Sequence, residues 1–126
     1  MTRRLETDFR LPAGPDAPSA AREAFRKLRG LERGLVDDIV LVVSELVTNS
    51  VRHASHRPGD WIGIGIEQRQ DRLRVEISDP GHGFRPVRPK EERRQSGWGL
   101  VILDRLVSRW GIEPGKRTRV WFEIDL

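Results

Sequence analysis

Two residues in the run ELVTNSVRHA have the types and the spacing to hold a charged ligand together. Glu45 and Asn49 are four residues apart, near the end of a long apolar-periodic segment. On a helix, residues four apart lie on one face, one turn above the other. A carboxylate and a carboxamide placed in this way can reach one metal ion or one polar ligand, and the neutral carboxamide oxygen suits Mg²⁺.

Two glycine-rich patterns follow along the chain. Asp79 precedes Gly81 and Gly83 in DPGHGF, and Gly97 and Gly99 flank a tryptophan in GWGL. Glycine lets the backbone approach a ligand where a Cβ would clash, and a helix N-terminus presents free backbone N–H groups to a phosphate. The three patterns, in this order, predict a nucleotide-binding site.

Each pattern also has a simpler explanation, which the residues alone leave open. Asn49 could make a buried helix-to-loop hydrogen bond, and Glu45 could be a solvated residue on a helix face. Asp79 could belong to an ordinary Asp-Pro-Gly turn, and the glycines of GWGL could serve loop flexibility alone. The ordered set of all three patterns favours the ligand-binding interpretation, as do the apolar neighbours of Glu45.

The elements that must position these residues follow from apolar periodicity. Alternation predicts strands, and helical spacing predicts helices. The predicted strands span residues 3–10, 61–68, 72–79, 108–112 and 118–124, and the predicted helices span 20–28, 35–54 and 97–107. Their order predicts an α/β fold, a two-layer sandwich of one mixed sheet with helices on one face. We expect residues 1–126 to form a single domain.

Taken together, these motifs resemble the N, G1 and G2 boxes of the GHKL superfamily of ATP-binding proteins, which includes gyrase, the Hsp90 chaperone, histidine kinases and MutL. The segment ELVTNSVRHA and the small size of the chain are most similar to one branch, the stand-alone anti-sigma-factor serine kinases of the RsbW and SpoIIAB type. The resemblance implies the Bergerat, or histidine-kinase-like ATPase, fold and the cofactors ATP and Mg²⁺.

The resemblance also implies a role for each matching residue. Glu45 would be the catalytic base, Asn49 the Mg²⁺ ligand, and Asp79 the acceptor of a hydrogen bond from the adenine amino group. The implied cofactor-binding residues are Asn49, Asp79, Gly81, Gly83, Gly97, Gly99 and Thr118. Thr118 would lie in the last strand near the adenine, although Lys116 and Arg117 before it depart from the family pattern. The basic loop of residues 85–94 is similar to the family's ATP lid.

The implied function is that of a protein serine/threonine kinase that phosphorylates an anti-sigma-factor antagonist and sequesters a sigma factor. Family members of this kind commonly form homodimers. An alternative is a non-catalytic, ATP-dependent module that only binds a partner. The presence of Glu45 favours catalysis over this alternative.

Composition restricts the metal ligands, the cellular location and the partners that we expect. The chain has no cysteine, which excludes disulfides and thiolate metal ligands. No apolar run approaches the roughly 20 residues of a membrane span, and no signal peptide is recognised, so we expect a cytoplasmic protein without membrane contact. The net charge of +4 permits an acidic partner or nucleic acid, but the basic residues are scattered. Direct nucleic-acid binding is therefore not expected.

Overall fold

The computed structural model describes residues 5–53, 57–80 and 98–126, which form five strands and three helices. In chain order these elements are β1 (Leu5–Pro12), α1 (Ala17–Arg26), α2 (Arg33–His53), β2 (Trp61–Gln68), β3 (Arg72–Asp79), α3 (Trp98–Leu106), β4 (Arg109–Glu113) and β5 (Thr118–Asp125). The strands predicted at 61–68 and 72–79 are confirmed at both ends. Within the described ranges, no helix is long and apolar enough to cross a lipid bilayer.

Helix α1 begins three residues earlier than predicted. Its first turn contains Pro18. Proline is tolerated there because the first N–H groups of a helix have no intrahelical partner. The helix ends at Arg26, two residues before the predicted end. Gly30, in the connection to α2, has a φ of 80°, a left-handed conformation that favours glycine.

The five described strands form one sheet in the order β1-β2-β3-β5-β4. All four neighbouring pairs are antiparallel, so the expectation of a mixed sheet is wrong, while the two-layer α/β sandwich is confirmed. The reason lies in the connection through α3. It returns the chain to β4 at the edge of the sheet, parallel in direction to β3, and β5 then inserts between these two strands, antiparallel to both.

The core lies between the helices and one face of the sheet. Alternate residues of β2 and β3 are buried, as the period-2 pattern predicted, and the core also contains the apolar stripe of α2. Phe25 of α1, Leu103 of α3 and Phe122 of β5 are fully buried in the same cluster. All three helices therefore contribute to one hydrophobic core.

The opposite face of the sheet carries a network of ion pairs around Glu123. This residue is 8% exposed. Its carboxylate accepts hydrogen bonds from Arg74 Nη1 (3.1 Å) and Arg109 Nη1 (3.0 Å), and Arg72 lies 3.5 Å away. Burial alone would raise the pKa of Glu123, but the hydrogen bonds from Arg109 and Arg74 outweigh burial and hold the pKa below its ordinary value.

Glu123→Gln is expected to lower the free energy of unfolding at pH 7 by about 1.5–3 kcal/mol, the range for hydrogen bonds to charged groups. A carboxyl group whose pKa is lowered by folding contributes stability above its unfolded pKa, and this contribution is lost as the pH falls through the folded pKa. The difference between wild type and variant should therefore shrink below about pH 4.

Urea denaturation at pH 7 and at pH 3 would measure this effect. Glu113→Gln is the matched control, because Glu113 is exposed and its ion pair with Arg119 is 4.0 Å long. A difference between wild type and Glu123→Gln that stays constant with pH would contradict the prediction.

Candidate functional site

A buried polar pair lies where the apolar rows of β3 and β5 stop. Asp79 is the last residue of β3, Thr118 is the first of β5, and the two are paired in the antiparallel register. They are 2% and 4% exposed and follow the same inward face as Ile77 and Val120. A carboxylate and a hydroxyl are thus placed together at the end of an otherwise apolar layer. Buried polar groups are the informative exceptions in a core.

Helix α2 carries the second polar pair. Glu45 and Asn49 lie one turn apart, about 6 Å along the helix axis, and both are half-buried. The neighbouring Val42, Leu46 and Val47 are buried in the core, as the sequence analysis expected. Because the apolar stripe of α2 is fixed against the sheet, the direction of Glu45 and Asn49 is fixed as well.

The side chain of Asn49 has an unusual environment. Its Oδ1 atom is buried and, among the described residues, has no hydrogen-bond partner. A buried acceptor without a partner costs about 1–3 kcal/mol, so such atoms in native proteins call for an explanation. A carboxamide oxygen is a suitable ligand for Mg²⁺, which is held by few protein oxygens and keeps other positions for water and phosphate. The environment of Asn49 therefore fits the predicted cation.

The third pattern lies at the start of α3. Gly99 is the second residue of this helix, and backbone N–H groups of a first helical turn have no intrahelical partner. Helix α2 contacts both α3 and β3. The elements that carry the three sequence patterns are therefore neighbours in the fold. The predicted cofactor residues Gly81, Gly83 and Gly97, and the basic loop 85–94, lie outside the described residues.

The sequence analysis missed the role of Arg117 and treated it only as a departure from the family pattern. Its Nη2 donates hydrogen bonds to the carbonyl oxygens of Trp61 (2.7 Å) and Ser78 (3.0 Å). Its Nε donates to Ser78 Oγ (3.3 Å), and the guanidinium carbon lies 3.5 Å from the centroid of the Trp61 ring. The available signal was its position directly before Thr118.

A cleft of about 1670 Å³ lies elsewhere, between the α1–α2 connection and strands β1 and β2. Leu28, Leu31 and Phe9 contribute to its lining. Of the residues predicted to bind a cofactor or to act in catalysis, none that the structure describes lines this cleft. We therefore locate the candidate functional site at the Asp79 and Thr118 end of the sheet, beside α2 and α3.

The fold and this arrangement of polar residues define a class of protein. Residues 11–124 match the family of histidine kinase-like ATPase domains, and the chain belongs to this family. The predicted GHKL resemblance and the predicted Bergerat fold are thereby confirmed.

The individual relatives belong to one branch of this family, the anti-sigma-factor serine kinases. The chain is 27% identical over 116 residues to the serine-protein kinase RsbW of Oceanobacillus iheyensis, covering 79% of this chain and 73% of the relative. It is 28% identical over 97 residues to the anti-sigma F factor of Clostridium acetobutylicum, covering 68% of this chain and 66% of the relative.

Among solved structures, the chain is similar to the RsbU and RsbW domains of a Mycobacterium tuberculosis protein, with a TM-score of 0.75 and 22% identity. The match covers 95% of this chain and 31% of that one, and it shows the fold alone.

Proposed function

We propose that this chain is an ATP- and Mg²⁺-dependent serine/threonine protein kinase of the anti-sigma-factor type. Membership of the ATPase family supports the use of ATP, and the names of the relatives, serine-protein kinase RsbW and anti-sigma F factor, support the kinase activity and its setting. The observation that carries the proposal is the buried Oδ1 of Asn49, which has no hydrogen-bond partner among the described residues and lies one helical turn from Glu45.

The residues would bind ATP as follows. Asp79 accepts a hydrogen bond from the adenine amino group, because a carboxylate accepts but cannot donate, and the paired Thr118 lies beside it. Gly81, Gly83 and Gly97 lie outside the described residues, and their assignment to ATP binding rests on the family pattern alone. Gly99 is the second residue of α3, whose first-turn backbone N–H groups would bind the phosphates.

Asn49 Oδ1 would hold the Mg²⁺. When bound, this ion would neutralise the negative charge that develops on the phosphate oxygens during phosphoryl transfer. Glu45 accepts the proton of the incoming serine hydroxyl as its oxygen bonds to the γ-phosphorus and the bond to the β-phosphate oxygen breaks, which releases ADP. The apolar residues that flank Glu45 on α2 are buried in the core, which fixes the face of the helix that carries Glu45.

The proposed protein substrate is a serine on an anti-sigma-factor antagonist, and the proposed second partner is a sigma factor. We further propose that the chain acts as a homodimer in the cytoplasm, with no direct contact to nucleic acid. The support for these partners is the similarity to RsbW and to the anti-sigma F factor.

Transfer of labelled phosphate from [γ-³²P]ATP to a purified antagonist protein from the same organism tests the proposal. The expected result is a labelled serine on the antagonist, formed only with Mg²⁺ present. Nucleotide-dependent binding of the antagonist without any label transfer would instead establish the alternative, a non-catalytic partner-binding module. The absence of ATP binding in calorimetry would contradict both.

Asn49→Ala is expected to abolish the dependence of ATP binding on Mg²⁺ without unfolding the protein. The substitution removes an oxygen that has no partner among the described residues, and alanine is the better helix former. The melting temperature without ligand should therefore stay the same or rise.

Calorimetry with ATP, with and without Mg²⁺, combined with thermal melting, would measure both effects. Thr48→Ala is the matched control, because Thr48 is a half-buried polar neighbour on the same helix. If Asn49→Ala unfolds the protein, Asn49 is structural and its assignment as a metal ligand is wrong.

A further inference from the structure

We infer that Arg117 is a positioning residue for the nucleotide site, and that it fixes the two strand ends that carry Asp79 and Thr118. The inference rests on the proposed function and goes beyond it, because Arg117 acts through other residues rather than through contact with the nucleotide. In a strand, neighbouring residues point to opposite faces, so Ser78 points away from the core while Asp79 points into it.

The hydrogen bonds of Arg117 replace the sheet ladder where it ends. The pairing between β2 and β3 stops at Gly63 and Ser78, so Trp61 has no partner on β3. The guanidinium bridges this gap, since Nη2 donates to the carbonyl oxygens of both Trp61 and Ser78. Because Arg117 directly precedes β5, one side chain links the ends of three strands, β2, β3 and β5.

The cluster around Arg117 is built with little free space. A Cβ atom on Gly63 would lie 2.7 Å from Ser78 Oγ and 2.9 Å from Cζ3 of Trp61, so only glycine leaves room for both partners. Arg10 also stacks on the Trp61 ring, with its guanidinium carbon 3.9 Å from the centroid. The guanidinium of Arg117 is thus held by a stacked ring, a hydroxyl and two carbonyl oxygens.

Electrostatics connects this cluster to the candidate site. Burial lowers the pKa of Arg117, with a smaller lowering from the charge of Arg10, while the carboxylate of Asp79 acts in the opposite direction. The attraction between Arg117 and Asp79 is mutual.

Arg117 is expected to affect the affinity for ATP and the preference for adenine over guanine, rather than the phosphoryl-transfer step. Loss of Arg117 would free the ends of β3 and β5, and the Asp79–Thr118 pair would no longer be held in one geometry. Supporting residues of this kind typically change ligand affinity by about 10- to 100-fold. The rate of phosphoryl transfer at saturating ATP should change little, because Glu45 and Asn49 lie on α2, outside this cluster.

Arg117→Ala and Arg117→Lys, compared with Arg119→Ala, test the inference. Arg119 lies two residues further along, in β5; its side chain is 48% exposed and its ion pair with Glu113 is 4.0 Å long. The expected result for Arg117→Ala is about a tenfold higher KM for ATP, a smaller ratio of ATP to GTP affinity, and a kcat within about twofold of wild type. Arg117→Lys should show the same changes, because a single ammonium cannot bond Ser78 Oγ and both carbonyl oxygens together while a flat group stacks on the Trp61 ring. The control should match wild type.

A second variant leaves Arg117 in place. Gly63→Ala displaces Ser78 Oγ or the Trp61 ring and should shift ATP affinity and the ATP-to-GTP ratio in the same direction. If the variants of Arg117 lower only the melting temperature, and both KM for ATP and the ATP-to-GTP ratio stay at wild-type values, Arg117 is merely structural and the inference is wrong. If Arg117→Ala does not fold, the same measurements on Arg117→Lys and Gly63→Ala decide whether the inference holds. A wild-type protein that binds no ATP would instead refute the proposed function itself.

Discussion

Glu45→Ala is expected to lower the rate of phosphoryl transfer by about 10²- to 10⁴-fold, the usual effect of removing a positioned general base. Glu45 lies one turn from the proposed Mg²⁺ ligand Asn49 on the rigidly packed α2, so its carboxylate can face the incoming hydroxyl. ATP affinity should change little, because the carboxylate contacts the nucleophile rather than the nucleotide. Single-turnover transfer of labelled phosphate, with calorimetry for ATP, would separate the two effects.

The matched control for this variant is Asp38→Ala. Asp38 is an exposed carboxylate on the same helix, so its loss alters helix charge to the same extent but leaves the proposed base intact. The complex with the partner protein should persist in both variants, because a binding surface does not need the base. Transfer at the wild-type rate by Glu45→Ala would remove Glu45 from the catalytic role and favour the non-catalytic alternative.

Asp79→Asn is expected to weaken ATP binding by about 10- to 100-fold, which corresponds to the loss of a charge-assisted hydrogen bond of about 1.5–3 kcal/mol. The amide can also donate a hydrogen bond, so the preference for adenine over guanine should fall together with the affinity. Because Asp79 is 2% exposed, water cannot replace the missing interaction. Calorimetric titration with ATP and with GTP would measure both quantities.

Glu76→Gln is the control for Asp79→Asn. It makes the same chemical change on the same strand, but Glu76 lies on the opposite face, where Arg74 donates a hydrogen bond to it. Its variant should bind ATP and GTP as the wild type does. Equal affinity of the wild-type protein for ATP and GTP would show that Asp79 does not select the base.

Local patterns in the sequence predicted the elements well. The alternation of Ile62, Ile64 and Ile66 with less buried residues fixed the limits of β2, because a half-buried strand has a period of two that no other element shares. The pairing of the strands was harder to predict. Antiparallel insertion of β5 beside β3 depends on how a long connection closes, and periodicity within a strand carries no information about its neighbour.

The candidate site was predictable to a similar degree. The residue types and spacing of Glu45 and Asn49 indicated their shared helix face. That Asn49 Oδ1 is buried and has no partner in the described part of the chain depends on tertiary packing, so sequence alone could not predict it. Arg117 was missed for the same reason, since its hydrogen-bond acceptors Trp61 and Ser78 are distant along the chain and the backbone carbonyls carry no sequence signature.

The pairing of Asp79 with Thr118 also has a consequence for the kinetics of folding. The β2–β3 and β4–β5 hairpins close short loops, whereas the β3–β5 pairing joins segments separated by all of α3 and β4. Loop-closure entropy makes such distant pairings late events in folding. We therefore expect the adenine end of the proposed site to form late in folding. Bound ATP would then slow unfolding of the finished protein far more than it would accelerate folding of the nascent chain.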